Sequence, residues 1–284
     1  MMFPWTDYRG RVSALKLAVF AALFVPGAWT ALAYGMDWLG PRPLNEAIHQ
    51  FGLWTIRLIY ISLLVTPARQ IVQWNELIQV RRMIGVGAFC YGIVHLSLYV
   101  GDQGFDLIKV ISEIVLRFYL AIGILALIGL SALAATSTDG MVRRLGGWRW
   151  QRLHHVLYAI GILATIHYFM QSKLEVFEPM VFAGFYAWLM GYRIIAHRRR
   201  HRRAPAWAVA ALSLAATLLT ATGEALYFFV KMNVDPVRVM LANLSLEAGL
   251  RPAWFVLAAG LLVTAVAVLR PLVKRQPKAQ LRPA

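Results

Sequence analysis

RWQRLHHVLYAIGILATIHYFM, residues 149–170, decides how the chain is read. The stretch is apolar enough to cross a bilayer, yet it carries His154, His155 and His167. A spanning helix needs about 20 mostly apolar residues. Titratable groups inside such a helix are costly and usually face a functional interior. A helix that keeps a histidine near each end therefore points to a membrane bundle with chemistry inside it.

The rest of the chain agrees. Of its 284 residues, 60% are hydrophobic and 15% charged, and mean hydropathy is +0.60. A soluble domain lies nearer half apolar and a quarter charged. Eight apolar runs stand at 13–34, 46–66, 83–101, 117–136, 150–170, 179–197, 206–230 and 253–270, separated by Gly and Pro turns. The fold class is an all-α membrane protein, a polytopic helical bundle.

The net charge of +16 would suggest nucleic acid in a soluble protein. Here the cations sit between the apolar runs, and no recognised nucleic-acid motif is present. Arg9, Arg11 and Lys16 precede the first run, and Arg69, Arg81 and Arg82 follow the second. Arg143, Arg144, Arg149 and Arg152 follow the fourth, RIIAHRRRHRR (193–203) closes the sixth, and a basic tail follows the eighth. The alternate loops are nearly neutral or acidic, as with Asp102, Asp106 and Glu113 against Lys109. Loop cations mark the cytoplasmic side. Eight spans with both termini cytoplasmic in a bacterial inner membrane satisfy this alternation. The first run also has the basic flank and Ala31-Leu32-Ala33 of a cleavable signal peptide, but its length favours a retained helix.

Orientation gives depth to the histidines. His154 and His155 fall near the cytoplasmic side, while His167, His95 and His49 fall towards the periplasmic side. Thirteen residues separate His154 from His167, a rise of about 20 Å and a turn of about 140°. The rise leaves room for one redox centre per leaflet, but the turn keeps the two histidines off a common face. Imidazole is a good haem-iron ligand, and two helices each giving one His can hold a haem between them. His95 and His167 have matching depth. From spacing alone, haem ligation, a proton path and helix-to-helix hydrogen bonding all remain open. His197 and His201 sit in the Arg-rich loop and read as a solvated basic face. Cys90 is the only cysteine, so an internal disulfide and a C-x-x-C-H haem attachment are excluded.

Several segments resemble a known family. They are NEAIHQFGLWTIRLIYISLLVTPAR (45–69), RRMIGVGAFCYGIVHLSLYV (81–100) and ALAATSTDGMVRRLGGWRWQRLHHVLYAIGILATIHYFM (132–170). T-P-x-R, R-R-x-x-G, T-S-T, W-Q-x-L-H and I-H-Y recur in order. This pattern resembles the ferric-reductase-like transmembrane superfamily and, within it, the MsrQ family. The likeness covers about residues 10–200. It implies a six-helix ferric-reductase-like core over 1–203, with 204–284 as a C-terminal extension of two further transmembrane helices.

The resemblance implies a b-type haem protein with one or two haems, and FMN as a further candidate cofactor. Electrons would pass from the quinone pool or a cytosolic flavin reductase to a periplasmic molybdenum-containing methionine sulfoxide reductase. That partner repairs oxidised envelope proteins, so substrate catalysis belongs to it. Carried over, His95, His154 and His167 match the family's haem-iron ligands. His49 falls on a family histidine of less certain role, and His155 has no clear counterpart.

No G-x-G-x-x-G unit follows a predicted strand, so electrons are expected from quinol, a bound flavin or a separate reductase. Thr138 or Asp139 would cap a short helix that, with Arg143 and Arg144, favours a flavin phosphate or a haem propionate. Lipid headgroup contact is the plainer reading of those arginines. Glu224 stands inside an apolar run, where a bundle-facing, hydrogen-bonded or protonated carboxyl is expected. The competing functions are reduction of external ferric iron, and a non-redox transporter or scaffold.

Overall fold

A computed structural model describes residues 3–6, 10–173, 175–199, 203–245, 247 and 249–273. His201, Arg9 and the tail cations from Lys274 onward lie outside the described residues. The described residues form α1 (Ala14–Gly35), α2 (Pro43–Val72), a 3₁₀ turn (Asn75–Val80), α3 (Arg81–Asp102), α4 (Leu107–Leu116) and α5 (Phe118–Ala135). They continue as α6 (Asp139–Leu145), α7 (Gly147–His154), α8 (Val156–Gln171), α9 (Phe177–Arg198), α10 (Ala206–Met232), α11 (Pro236–Leu244) and α12 (Pro252–Val273). An all-helical chain keeps every backbone polar group paired within its own segment, as hydrocarbon requires.

Among the described residues seven helical segments are long and apolar enough to cross a membrane. They are α1, α2, α3 with its preceding turn, α5, α7 with α8, α10 and α12. The run at 179–197 forms α9, a continuous 22-residue helix outside that set. Glycines, aromatics with polar tips and Arg193 dilute its apolar content.

Two other segments add to the sequence pattern. The run at 150–170 lies within one 25-residue segment, with a local irregularity between α7 and α8 at His155, whose amide bonds both the Gln151 and Arg152 carbonyls. The acidic stretch after Asp102 contains α4, N-capped by Asp106, whose Oδ1 accepts from the Lys109 amide at 3.0 Å.

The chain divides into two compact units, residues 1–65 with 76–173, and residues 66–75 with 174–284. In the first, α5 packs on α8, α3 and α4, and α1 packs on α3. Pro26 lies within α1, and a helix-interior proline disturbs the i to i−4 ladder. Just beyond it the Tyr91 hydroxyl of α3 accepts from the Gly27 amide at 2.8 Å and donates to the Leu23 carbonyl at 2.7 Å. One phenol thus satisfies both members of an i to i−4 pair. Between α2 and α8, the buried Tyr60 hydroxyl meets Thr165 Oγ1 at 2.6 Å.

In the second unit α10 packs on α9, α11 and α12. Small residues permit the close approach. A Cβ on Gly260 would lie 2.5 Å from Ser213 Cβ, and one on Gly191 would lie 2.4 Å from Leu212 Cδ1. Trp188 Nε1 donates to Ser213 Oγ at 3.0 Å across α9 and α10. Glu224 faces this bundle, as expected of it. One carboxylate oxygen pairs with Arg251 and the other accepts from Asn243 Nδ2, both at 2.8 Å.

Candidate functional site

Two histidines distant in sequence meet inside the first unit. His95 projects from α3 and His167 from α8, and their ring centroids are 6.4 Å apart with planes at 83°. Each ring is held by the same device. His95 Nδ1 lies 2.8 Å from the Ile48 carbonyl of α2, and His167 Nδ1 lies 2.8 Å from the Tyr119 carbonyl of α5. A carbonyl only accepts, so both Nδ1 atoms carry the proton and each Nε2 is left with its lone pair. This fixes tautomer and ring direction, as an outer-shell partner does for a metal-binding histidine.

The spacing can be tested against a shared metal. An imidazole nitrogen bonds a metal at about 2.0 Å, and the ring centroid lies roughly 1.1 Å behind it. Two imidazoles in line across one ion therefore set their centroids about 6.2 Å apart. The observed centroid separation of 6.4 Å is close to that length.

Glycines give both rings their places. A Cβ on Gly52 of α2 would stand 3.0 Å from His95 Cε1 and Nδ1. A Cβ on Gly123 of α5 would stand 2.9 Å from the same two atoms of His167. Four helices therefore serve the pair, two offering rings and two offering a carbonyl and a glycine. Sequence reading finds the rings and misses Ile48, Tyr119, Gly52 and Gly123. Their signal is weak. A glycine inside a helix costs about 1 kcal/mol relative to alanine, so one in a spanning helix at histidine depth is the available hint.

The other candidates do not join the ring pair. His49 lies in the second turn of α2 and is exposed. It is the carbonyl of its neighbour Ile48, not the His49 ring, that reaches His95. His154 ends α7, stacks on Trp150 at 4.0 Å and meets Thr136 Oγ1 through Nε2 at 3.3 Å. Trp150 Nε1 in turn donates to the Thr136 carbonyl at 2.9 Å. His155 turns away, exposed and stacked on Tyr158 at 5.5 Å. His197 is exposed in the last turn of α9.

Thr138 is the N-cap of α6, accepting from the Met141 amide at 3.2 Å, and Asp139 pairs with Arg82. Arg143 and Arg144 are exposed in the last turn of that seven-residue helix, at the end opposite its cap.

The profile of the family described as ferric reductase like transmembrane component matches residues 51–165, which include His95 and end two residues before His167. A protein of Rhodospirillum rubrum named protein-methionine-sulfoxide reductase heme-binding subunit MsrQ is 39% identical over 193 residues. That match covers 67% of this chain and 93% of the relative. The chain belongs to the MsrQ family. An MsrQ of Xanthomonas campestris pv. campestris (strain 8004) is 41% identical over 191 residues, 64% of this chain and 87% of the relative. An MsrQ of Azospira oryzae is 34% identical over 187 residues, 65% of this chain and 80% of its own length. No solved structure gives a significant match. The matches leave about a third of this chain outside the MsrQ likeness.

Proposed function

We propose that the chain is a haem-binding, electron-transferring membrane subunit of a methionine sulfoxide reductase system. One observation carries the proposal: the His95–His167 pair, 6.4 Å between centroids, with each Nδ1 on a backbone carbonyl. Two imidazoles are few donors for a bare ion, and no group of three or more His, Cys, Asp or Glu able to hold one occurs among the described residues. A haem iron would need few donors from the protein, and His95 and His167 would hold it. A b-type haem would supply a one-electron iron couple at this site.

The protein's own groups do the rest. The Ile48 and Tyr119 carbonyls keep each ring in the tautomer that presents Nε2, and Gly52 and Gly123 leave the rings room. The aliphatic side chains of the spans exclude water. His154 is the residue for a second haem, with Thr136 and Trp150 holding its ring. Arg143 and Arg144 offer positive charge to a flavin phosphate or a haem propionate. Loop cations orient the chain with both termini cytoplasmic in the inner membrane. Electrons enter from quinol or flavin on that side and leave to a periplasmic molybdenum-containing reductase.

The test is a reduced-minus-oxidised visible spectrum with a pyridine haemochrome count on wild type, His95→Ala, His167→Ala and His154→Ala. A b-type signal that falls in the first two variants is expected. A wild type without haem, after expression with ample haem supply, would refute the proposal. Copurification with a soluble periplasmic molybdoprotein separates this function from reduction of external iron.

A further inference from the structure

We propose that α4 lies along the bilayer surface, its aliphatic stripe seated in the lipid at the end of the first unit that carries the His95–His167 pair. Four observations converge on lipid as the occupant.

The helix has three distinct faces. At 100° per residue, Leu107, Ile108, Ile111 and Val115 fall within about 100° of arc. All four are exposed, Ile108 to 84% and Val115 to 74%. Val110 is buried beside this arc and seats the helix on α5. Lys109, Ser112 and Glu113 occupy the remaining side, with Leu116, 79% exposed, among them in the last turn. A helix with an exposed apolar stripe and a charged opposite face is the kind that lies in an interface rather than crossing it.

Connectivity sets the level. Only Arg117 separates α4 from the spanning helix α5, and α3, also spanning, ends at Asp102. So short a tether at both ends holds α4 close to the plane where the spans emerge.

Exposed apolar side chains go on past the junction into a helix long and apolar enough to span. The stripe runs into Phe118, the first residue of α5, which is 70% exposed, and α5 goes on to show Leu125 and Ile128 outward. In a membrane-spanning helix, outward aliphatic side chains meet acyl chains.

The junction itself is built for an interface. Arg117 pairs with Glu113 of α4 and reaches the Tyr119 hydroxyl at 3.4 Å, leaving charge and phenol where headgroups would meet them. Two residues along the chain from Arg117, the Tyr119 carbonyl orients His167, so the seat of α4 adjoins the site.

The experiment uses the full chain in nanodiscs of phosphatidylcholine and phosphatidylglycerol. In a Cys90→Ser background, single cysteines at Ile108, Ile111, Val115, Lys109 and Ser112 carry a nitroxide label. Power saturation then compares oxygen, which concentrates in lipid, with a water-soluble nickel chelate. Labels at the three aliphatic positions should be several-fold less accessible to the chelate, and more accessible to oxygen, than those at Lys109 and Ser112. Replacing Ile108 and Ile111 together by serine should release α4, seen as a more mobile spectrum from the label at position 109. Equal chelate access on both faces, an unchanged spectrum in the double variant, or protection of the stripe only after a soluble partner protein is added would each overturn the proposal. None of these readouts depends on haem.

Discussion

Gly123→Ala is the sharpest probe of the paired-histidine site because it adds one methyl group at a known place. The new Cβ would stand 2.9 Å from His167 Cε1 and Nδ1, where ordinary contact begins near 3.4 Å. The ring must retreat by about 0.5 Å, the difference between those distances. Its Nδ1 sits only 2.8 Å from the Tyr119 carbonyl, so the same retreat strains that hydrogen bond towards its limit. The bond contributes about 1 kcal/mol to stability. The larger effect is on ligation, because losing an outer-shell partner of a metal-binding histidine typically weakens affinity 10–100-fold. Haem titration of the purified protein should show retention weakened by about that factor, with thermal stability little changed. Gly129→Ala is the control. It lies on the same helix, and its added Cβ would meet Ile160 Cδ1 at 2.9 Å and Cγ1 at 3.0 Å, a comparable crowding that touches neither histidine. That variant should keep its haem. Wild-type haem retention in Gly123→Ala, or equal loss in both variants, would refute the reasoning.

Other substitutions test other parts of the structure, each read by thermal melting in one detergent. Tyr91→Phe removes the hydroxyl that serves both Gly27 and Leu23, and should cost about 1–3 kcal/mol because two backbone groups lose their partner. Glu224→Gln leaves the Arg251 charge without its counterion. It should destabilise by roughly 3 kcal/mol, whereas Glu224→Leu with Arg251→Met should be nearly neutral. Trp150→Phe keeps the aromatic stack on His154 but loses the bond to the Thr136 carbonyl, for a cost of about 1 kcal/mol.

Much of this was legible in the sequence, and for identifiable reasons. Crossing hydrocarbon demands long apolar segments with their backbone bonds satisfied internally. That requirement is written locally, so runs such as 206–230 could be placed without coordinates. His95 and His167 could be matched because a helix converts residue count into depth at a fixed rise. The same arithmetic misplaced what depends on neighbours. His154 and His155 share one depth in sequence, yet one ring stacks on Trp150 and the other, exposed, on Tyr158. The stretch 107–116 reads as part of an acidic loop, because its apolar positions are too few to span and their helical spacing is easily passed over.

Hydropathy and period thus marked seven of the eight apolar runs as helices fit to span, matched His95 with His167 and, through ordered motifs, pointed to the family. Only tertiary structure decided which backbone atoms face those histidines. Ile48 and Tyr119 act through carbonyls, which every residue possesses, and Gly52 and Gly123 act through the absence of a side chain. Neither property marks a sequence until another helix comes to rest against it.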